Sequence, residues 1–363
     1  MSSSYSPPVD GTSAPPLPKN PARPTMPNPT QPKRLLAALC LALPMAAVLA
    51  LAIGPLALSP SQLLDVLLGG GDALSTTTVI DIRAPRVLLA LLVGAALACS
   101  GVVVQTLFRN PLAEPGLLGI SSGAALAAVS CIVLFPALLA LPLALPAVAF
   151  MGASLAALLV VQIARISPLA PSVGQLLAGI AINALAAAGI GVLSYLADDL
   201  ALRSLTFWMF GSLGSSHWSA LLPCTPLLAL LLVLAPGQAR RLDVLQLSEA
   251  DAAYLGVDVP SLRRRLLLLV VISVGTAVAL SGIIGFVGLV VPHLLRLAGM
   301  RAHRQLLPAS ALLGALLLLT ADTVARTAFA PGELPVGMLT ALLGAPFFIV
   351  LLLRRQPGAR PSC

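Results

Sequence analysis

The chain has 363 residues, of which 58% are hydrophobic and 9% are charged. A soluble globular protein carries about 25% charged residues, so this composition excludes an ordinary soluble domain. Uncharged stretches of eighteen or more residues recur along the chain, and a helix needs about 20 apolar residues to cross the ~30 Å hydrocarbon core of a membrane. The sequence therefore predicts an all-α, polytopic membrane protein.

The N-terminal segment differs from the rest of the chain. Residues 1–32 are rich in Pro and Ser and contain little that a core could bury, which predicts a disordered cytoplasmic tail. This tail is not a secretory signal, because the basic pair Lys33 and Arg34 follows it and the next apolar run is too long for a signal peptide. We expect residues 33–356 to form one transmembrane domain and 357–363 a second cytoplasmic tail.

Apolar segments predict about ten transmembrane helices. Segment 285–299 directly follows segment 264–284 with no polar loop between them. Gly282, Gly285 and Gly288 predict a break there that lets the backbone turn inside the protein. The predicted segments are 35–58, 86–108, 116–135, 139–163, 172–196, 219–236, 264–284, 285–299, 306–325 and 336–353.

Basic residues lie mostly on one side of this ten-helix arrangement. Of the 21 Lys and Arg residues, all but Arg83, Arg86, Arg203 and Arg326 fall in the tails or in the loops at 109, 165, 240–265 and 296–304. The positive-inside rule places these segments and both termini in the cytoplasm. The net charge of +8 therefore indicates topology rather than nucleic-acid binding.

Two segments resemble each other within the chain. The stretches "VGAALACSG" at 93–101 and "VGTAVALSG" at 274–282 agree at six of nine positions. In the ten-helix arrangement they run in opposite directions, as in the inverted repeats of many transporters. The alternative is that small residues arose independently in both helices, because Gly, Ala and Ser let helices approach closely.

Motifs for catalysis and nucleotide binding are missing from the sequence. There is no GxxxxGK[ST] loop, and the two lysines, Lys19 and Lys33, lie in or beside the N-terminal tail. The five cysteines lack CxxC spacing, so we expect neither disulfides nor a metal site. The chain is predicted not to be an enzyme. A proton-driven carrier centred on Asp322 remains an alternative. It has few acidic residues to work with, because only Asp322 and Glu333 come near the apolar segments, and both lie close to outer ends, where carboxylates reach water.

Several long stretches, in order along the chain, resemble the FecCD-type permease subunits of bacterial ABC importers for haem, ferric siderophores and vitamin B12. The similarity runs from about residue 35 to 355. The stretches are "IRAPRVLLALLVGAALACSG", "RNPLAEPGLLGISSGA", "SGIIGFVGLVVPHLLRLAG", "HRQLLPASALLGA", "ADTVAR" and "ELPVGMLTALLGAPFFIVLLLRR".

This resemblance implies a ten-helix permease in the bacterial inner membrane that dimerises around a central path, as a homodimer in the simplest case. Two ABC ATPase subunits would bind its cytoplasmic side and use the ATP, and a periplasmic or lipid-anchored binding protein would deliver the substrate. The chain itself is expected to bind no cofactor. The stretch at 195–218 looks most like haem importers, so haem is the leading substrate, a ferric siderophore is next, and vitamin B12 remains open.

The basic loop at 240–265 is the predicted site of ATPase coupling. Apolar residues lie among acidic ones in this loop, which favours a short helix in a partner's groove; a solvated connector is the alternative from the residues alone. The family usually has Gly where Ser248 stands. By resemblance, the coupling residues are Leu247, Glu249, Ala252, Leu255 and Gly256.

Arginines on the outer side are exceptions to the charge bias, and the resemblance implies that they receive acidic residues of the binding protein. The three at matching positions are Arg83, Arg86 and Arg326, and a guanidinium group makes bidentate contacts with carboxylates. The alternative is snorkelling at the membrane interface or pairing with Asp81 and Asp322.

The stretch from Arg109 to Ala124 predicts a tight turn at the cytoplasmic ends of two helices, because Pro111 and Pro115 prevent the first helix from continuing. By resemblance, the cytoplasmic gate consists of Asn110 and Leu112 with Ser172 and Val173. The alternative is a plain turn in which Asn and Pro cap helices.

His293 lies near the inner end of a short predicted helix. An imidazole can ligate haem or relay protons. We expect a structural hydrogen bond instead, because an inner position does not suit capture of substrate from outside.

Overall fold

The computed structural model describes residues 31–247, 249–328 and 332–353. Most of the predicted N-terminal tail and the whole segment 357–363 lie outside these ranges. All regular structure within them is helical. The longer helices are α1 (Gln31–Ala52), α4 (Ala84–Leu107), α6 (Ala144–Ile166), α7 (Pro171–Leu196), α9 (Trp218–Leu234), α12 (Val259–Ser281), α14 (His303–Thr327) and α15 (Val336–Leu353). The shorter helices are α2 (Pro60–Leu67), α3 (Ala73–Thr76), α5 (Ile120–Leu134), α8 (Asp199–Met209), α10 (Ala239–Leu245), α11 (Glu249–Tyr254) and α13 (Val287–Leu297).

The predicted all-α, polytopic architecture is confirmed. Seven of the described helices are long and apolar enough to cross a membrane, and three further apolar helices, α5, α13 and α15, account for the other predicted segments. The second predicted segment starts too late, because helical structure continues outward from α4 through a π-helical stretch, Thr77–Arg83, to Ala73. Arg83, at the end of the π-helical stretch, and Arg86, in the first turn of α4, therefore lie on one continuous helix.

Helix α4 lies at the centre of the bundle, where it packs against α9, α12, α13 and α14. Its glycines permit this packing. A Cβ atom on Gly101 would lie 1.9 Å from the carbonyl oxygen of Gly288, and one on Gly94 would lie 2.3 Å from that of Gly314. Small residues in the "VGAALACSG" stretch are therefore required for close helix contact. The inverted-repeat interpretation stays a prediction.

The predicted break between two helices occurs between Ser281 and Val287. Gly282 has φ +68°, and a Cβ atom there would lie 2.1 Å from the carbonyl oxygen of Trp208. Only glycine adopts this conformation in so little space. Gly288 has a different role from the predicted one, since it lies inside α13 and contacts α4.

The predicted cytoplasmic loop at 240–265 is shorter than expected, because α12 begins at Val259. The Asp258 carboxylate accepts a hydrogen bond from the Ser261 amide at 3.1 Å and so caps the helix. Pro260 suits the first turn, where no amide donor is needed. The remaining loop consists of α10, α11 and their connections.

Candidate functional site

A buried ion pair joins α4 to α14 at the end of the bundle that holds Arg83. The Arg86 Nε and Nη2 atoms donate to both carboxylate oxygens of Asp322 at 2.9–3.1 Å. Its Nη1 atom donates to Glu333 at 2.9 Å. Asp322 is 1% exposed, so the prediction that it reaches water is wrong. A bidentate guanidinium contact compensates the burial of its charge.

The other two arginines of this end bind the last turn of α1. Arg83 Nη1 donates to the carbonyl oxygens of Leu51 and Ala52 at 2.6 and 2.8 Å, and Arg326 donates to that of Ala50. The last carbonyl groups of a helix have no partner within the helix and carry partial negative charge. The two guanidinium groups therefore cap α1 and fix it against α4 and α14.

These internal partners bear on the predicted docking role of the three arginines. The alternative of pairing with Asp322 is confirmed for Arg86, whereas Asp81 is exposed and has no ion pair among the described residues. Arg83, Arg86 and Arg326 are all buried. Glu333, with 40% of its side chain exposed, is where this cluster meets the surface. Docking stays a prediction.

The predicted turn after α4 is present. Arg109 has φ +47°, and the Asn110 side-chain oxygen accepts a hydrogen bond from the Leu112 amide at 2.9 Å. Pro115–Leu118 forms a short 3₁₀ helix that ends at Gly119, whose φ is +75°. Asn110 thus stabilises the turn locally, as in the capping alternative.

The turn contacts α7 away from the other predicted gate residues. A Cβ atom on Gly179 would lie 1.8 Å from the Leu117 carbonyl oxygen, and Asn183 Nδ2 donates to the Gly116 carbonyl oxygen at 3.4 Å. Ser172 and Val173 lie about two turns earlier on α7. No described hydrogen bond joins Asn110 or Leu112 to them, so the cytoplasmic gate stays a prediction.

Glu114 is a functional candidate that the sequence analysis missed. Its Oε1 atom accepts a hydrogen bond from the Phe286 amide at 2.9 Å, and Phe286 has φ +68° immediately before α13. Glu114 therefore ties the turn after α4 to the α12–α13 break. Burial raises the pKa of the Glu114 carboxyl, and the hydrogen bond from Phe286 opposes part of this increase. The sequence signal that could have identified Glu114 is an acidic residue within a run of Pro, Gly and Leu.

A second missed cluster lies where α4, α10 and α14 meet. His303 Nδ1 lies 2.6 Å from Asp243 Oδ1, and the His303 amide donates to the same oxygen at 2.9 Å. His303 Nε2 lies 2.7 Å from Thr106 Oγ1. Arg109 Nε donates to the Leu245 carbonyl oxygen at 3.0 Å. Helix α10 of the predicted coupling loop is thus fixed to the end of α4, beside the turn.

The predicted coupling residues divide into an exposed and a buried group. Leu247 and Leu255 are exposed, and Tyr254 is 91% exposed although it was not among the chosen residues. Ala252 is 0% exposed and belongs to the apolar core, so its predicted contact with a partner is corrected to a packing role. The Glu249 side chain and Ser248 lie outside the described part of the structure. Gly256 has φ +78° and ends the segment.

The predicted structural hydrogen bond of His293 is not found within the described ranges. Its Nε2 atom is buried without a hydrogen-bond partner among the described residues. The ring instead meets Phe347 edge-on, with 6.2 Å between ring centroids.

A cleft of about 500 Å³ borders the stretch at 195–218. Aromatic side chains Phe207 and Trp208 line it together with His217 and several serine hydroxyl groups. Pockets of this size with apolar walls and a few polar groups suit small ligands.

Apolar helices long enough to span a membrane, glycine-mediated contacts between them and a buried ion pair define the described part of the chain as a polytopic membrane protein. The chain belongs to the FecCD transport family, whose pattern matches residues 41–354. It is therefore a transporter permease rather than an enzyme, and permeases of ABC transporters act in a complex.

Relatives and a solved structure agree with this family. The chain is 52% identical over 280 residues to the hemin transport system permease protein HmuU of Yersinia pestis, covering 76% of this chain and 83% of the relative. It is 46% identical over 276 residues to the vitamin B12 import system permease protein BtuC of Vibrio vulnificus strain CMCP6, covering 76% of this chain and 82% of the relative. A metal-chelate type ABC transporter in an inward-facing conformation matches with a TM-score of 0.78 and 35% identity, over 88% of this chain and 99% of the other.

Proposed function

We propose that this chain is the permease subunit of a bacterial ABC importer for an iron chelate, with haem as the leading substrate. The observation that carries the proposal is the 52% identity to a hemin permease over 280 residues. The cleft near 195–218 supports it, because aromatic rings stack on flat macrocycles and an imidazole such as His217 is an iron ligand.

The permease acts as a homodimer in the bacterial inner membrane, with both termini in the cytoplasm. Two ABC ATPase subunits bind the end that carries α10 and α11, and a periplasmic or lipid-anchored binding protein docks at the opposite end. The exposed apolar side chains of Leu247, Tyr254 and Leu255 support an ATPase contact at α11. ATP is used by the partner subunits, and the permease itself binds no cofactor.

The substrate is tested with the complete transporter reconstituted in vesicles, with its own binding protein outside and ATP within. Uptake of haem, a ferric siderophore and cobalamin is measured side by side. ATP-dependent uptake of haem alone is the expected result. Uptake of cobalamin with no uptake of haem would contradict the haem assignment. It would establish vitamin B12 as the substrate, the second candidate, which the 46% identity to a vitamin B12 permease supports.

The same vesicles test the energy source. Vesicles with the permease alone and a proton gradient are expected to accumulate no substrate, because the Asp322 carboxylate is held in an ion pair with Arg86. Uphill uptake by the permease alone would overturn the ATP-driven mechanism.

A further inference from the structure

A cavity between α6 and α12 has features that the transport function does not use. It encloses about 900 Å³. One wall is apolar and includes Leu158, Val161, Leu267, Leu268 and Val271. Leu158 and Leu268 are more than half exposed. Because both lie on helices long and apolar enough to span a membrane, the cavity opens sideways toward lipid.

Positive charge is confined to one end of this cavity. Arg165 lies in the last turn of α6, and Arg263 and Arg264 lie near the start of α12. The positive-inside rule predicts that this end faces the cytoplasm. Arg263 reaches toward the Leu107 carbonyl oxygen at 3.5 Å. Arg165 and Arg264 have no ion pair among the described residues, so their charges are available to a ligand.

A polar side chain also lines the cavity. Gln175 of α7 borders the same space as Arg165 and Arg264, and its amide makes no hydrogen bond with the described residues. An amide in this position can donate to an anionic oxygen of a ligand that the arginines hold.

We propose that this cavity binds an anionic phospholipid of the cytoplasmic leaflet. Arg165 and Arg264 bind the headgroup phosphate, Gln175 donates a hydrogen bond to it, and one acyl chain lies along the apolar wall. Basic pockets between transmembrane helices at the cytoplasmic side are suited to such headgroups. A free anion would need the arginines but not the apolar wall, and a neutral lipid would need the wall but not the charge.

The full-length chain, purified in detergent, is titrated with phosphatidylglycerol and with phosphatidylcholine of the same acyl chains, and bound lipid is counted by native mass spectrometry. Preferential binding of phosphatidylglycerol is expected. Each of Arg165→Gln and Arg264→Gln is expected to weaken that binding about fivefold, the effect of one basic residue near an anionic lipid surface. Arg304→Gln is the matched control, because Arg304 is exposed in the first turn of α14 and does not line the cavity.

A second variant tests the apolar wall without altering charge. Val271→Trp fills part of the cavity, and it is expected to reduce phosphatidylglycerol binding while the helical circular dichroism signal is retained. An excess of inorganic phosphate is expected to displace little lipid, which distinguishes the headgroup from a free anion.

Three results would each overturn the proposal. They are equal binding of phosphatidylcholine and phosphatidylglycerol, an equal loss in Arg304→Gln and Arg264→Gln, and complete displacement of the lipid by inorganic phosphate. If one arginine variant does not yield folded protein, the other arginine variant decides the charge test. None of these lipid-binding measurements depends on the transported substrate, so failure of this proposal leaves the proposed import function intact.

Discussion

Thr106 Oγ1 lies 2.7 Å from His303 Nε2, and this contact joins the end of α4 to the start of α14. The other ring nitrogen of His303 lies 2.6 Å from Asp243 on α10. A single imidazole therefore connects the predicted coupling segment with the helix that leads into the predicted gate. The two contacts give the first prediction.

Asp243→Asn and His303→Gln are each expected to destabilise the fold, since breaking a buried polar contact leaves a partner unsatisfied at a cost of about 1–3 kcal/mol. Both variants are also expected to lower transport per ATP hydrolysed in the assembled transporter, because α10 is no longer fixed to α4. Thermal unfolding and the transport-to-ATPase ratio are measured together. Asp65→Asn, at an exposed position on α2, is the control. Loss of stability with an unchanged ratio would restrict the cluster to a structural role.

Arg86 and Asp322 are expected to depend on each other strongly. Arg86→Gln or Asp322→Asn alone leaves one charge buried without its partner, which costs about 3–5 kcal/mol. The double variant is expected to lose less than the sum of the two single losses. The measurement is a double-mutant cycle of unfolding free energies, with Arg203→Gln as the control because Arg203 is exposed. Additive losses would show that the ion pair contributes nothing specific.

Tyr254 and Leu255 are expected to contribute to partner binding rather than to stability. Changes at exposed positions usually alter the free energy of unfolding by less than about 0.5 kcal/mol. Tyr254→Ala and Leu255→Ser are therefore expected to keep the melting temperature and to weaken ATPase binding, measured by co-purification and by ATP-dependent transport. Leu68→Ser is the matched control, since Leu68 is an exposed leucine that directly follows α2. Normal ATPase binding by both variants would show that α11 only connects neighbouring helices and does not contact the ATPase.

Gly101 is expected to tolerate no side chain. A Cβ atom there would lie 1.9 Å from the Gly288 carbonyl oxygen, and overpacking of a core typically costs about 1–3 kcal/mol. Gly101→Ala is expected to lower the melting temperature by separating α4 from α13. Gly237→Ala serves as the control, because no atom lies within 4 Å of a Cβ at that position. Equal melting temperatures for the two variants would contradict the close helix contact.

Glu114 is expected to make stability depend on pH. Burial raises the pKa of this carboxyl, so the folded state binds its proton more tightly than the unfolded state does. The stability that it contributes is fully present below the ordinary glutamate pKa of about 4.3 and is lost as pH rises through the higher folded-state value.

Glu114→Gln keeps an acceptor for the Phe286 amide but cannot ionise. Its melting temperature relative to the natural chain is therefore expected to rise with pH across that window and to change little at higher pH. Melting curves at several pH values check this, with exposed Asp65→Asn as the control. A difference that is constant over the whole range would show that ionisation of Glu114 is not responsible.

The membrane class, the approximate positions of ten helices and the turn after α4 could all be predicted from the sequence. These properties depend on local composition. A run of apolar residues favours lipid whatever the rest of the chain packs against it, and Pro and Gly change the backbone conformation at their own positions. The family resemblance also followed from contiguous stretches, and the match over residues 41–354 confirms it.

The partners of the charged side chains were decided only by the tertiary structure. Arg86 meets Asp322 across 236 positions of sequence, and Thr106 meets His303 across 197. Neither spacing nor hydropathy carries this information, since the contacts exist only after α4 has packed against α14. Ala252 was misjudged for the same reason: its position in a short polar segment indicated exposure, whereas the packing of α11 against the core buries it. Local chemistry thus determined which segments enter the membrane, and helix packing determined which polar groups face one another there.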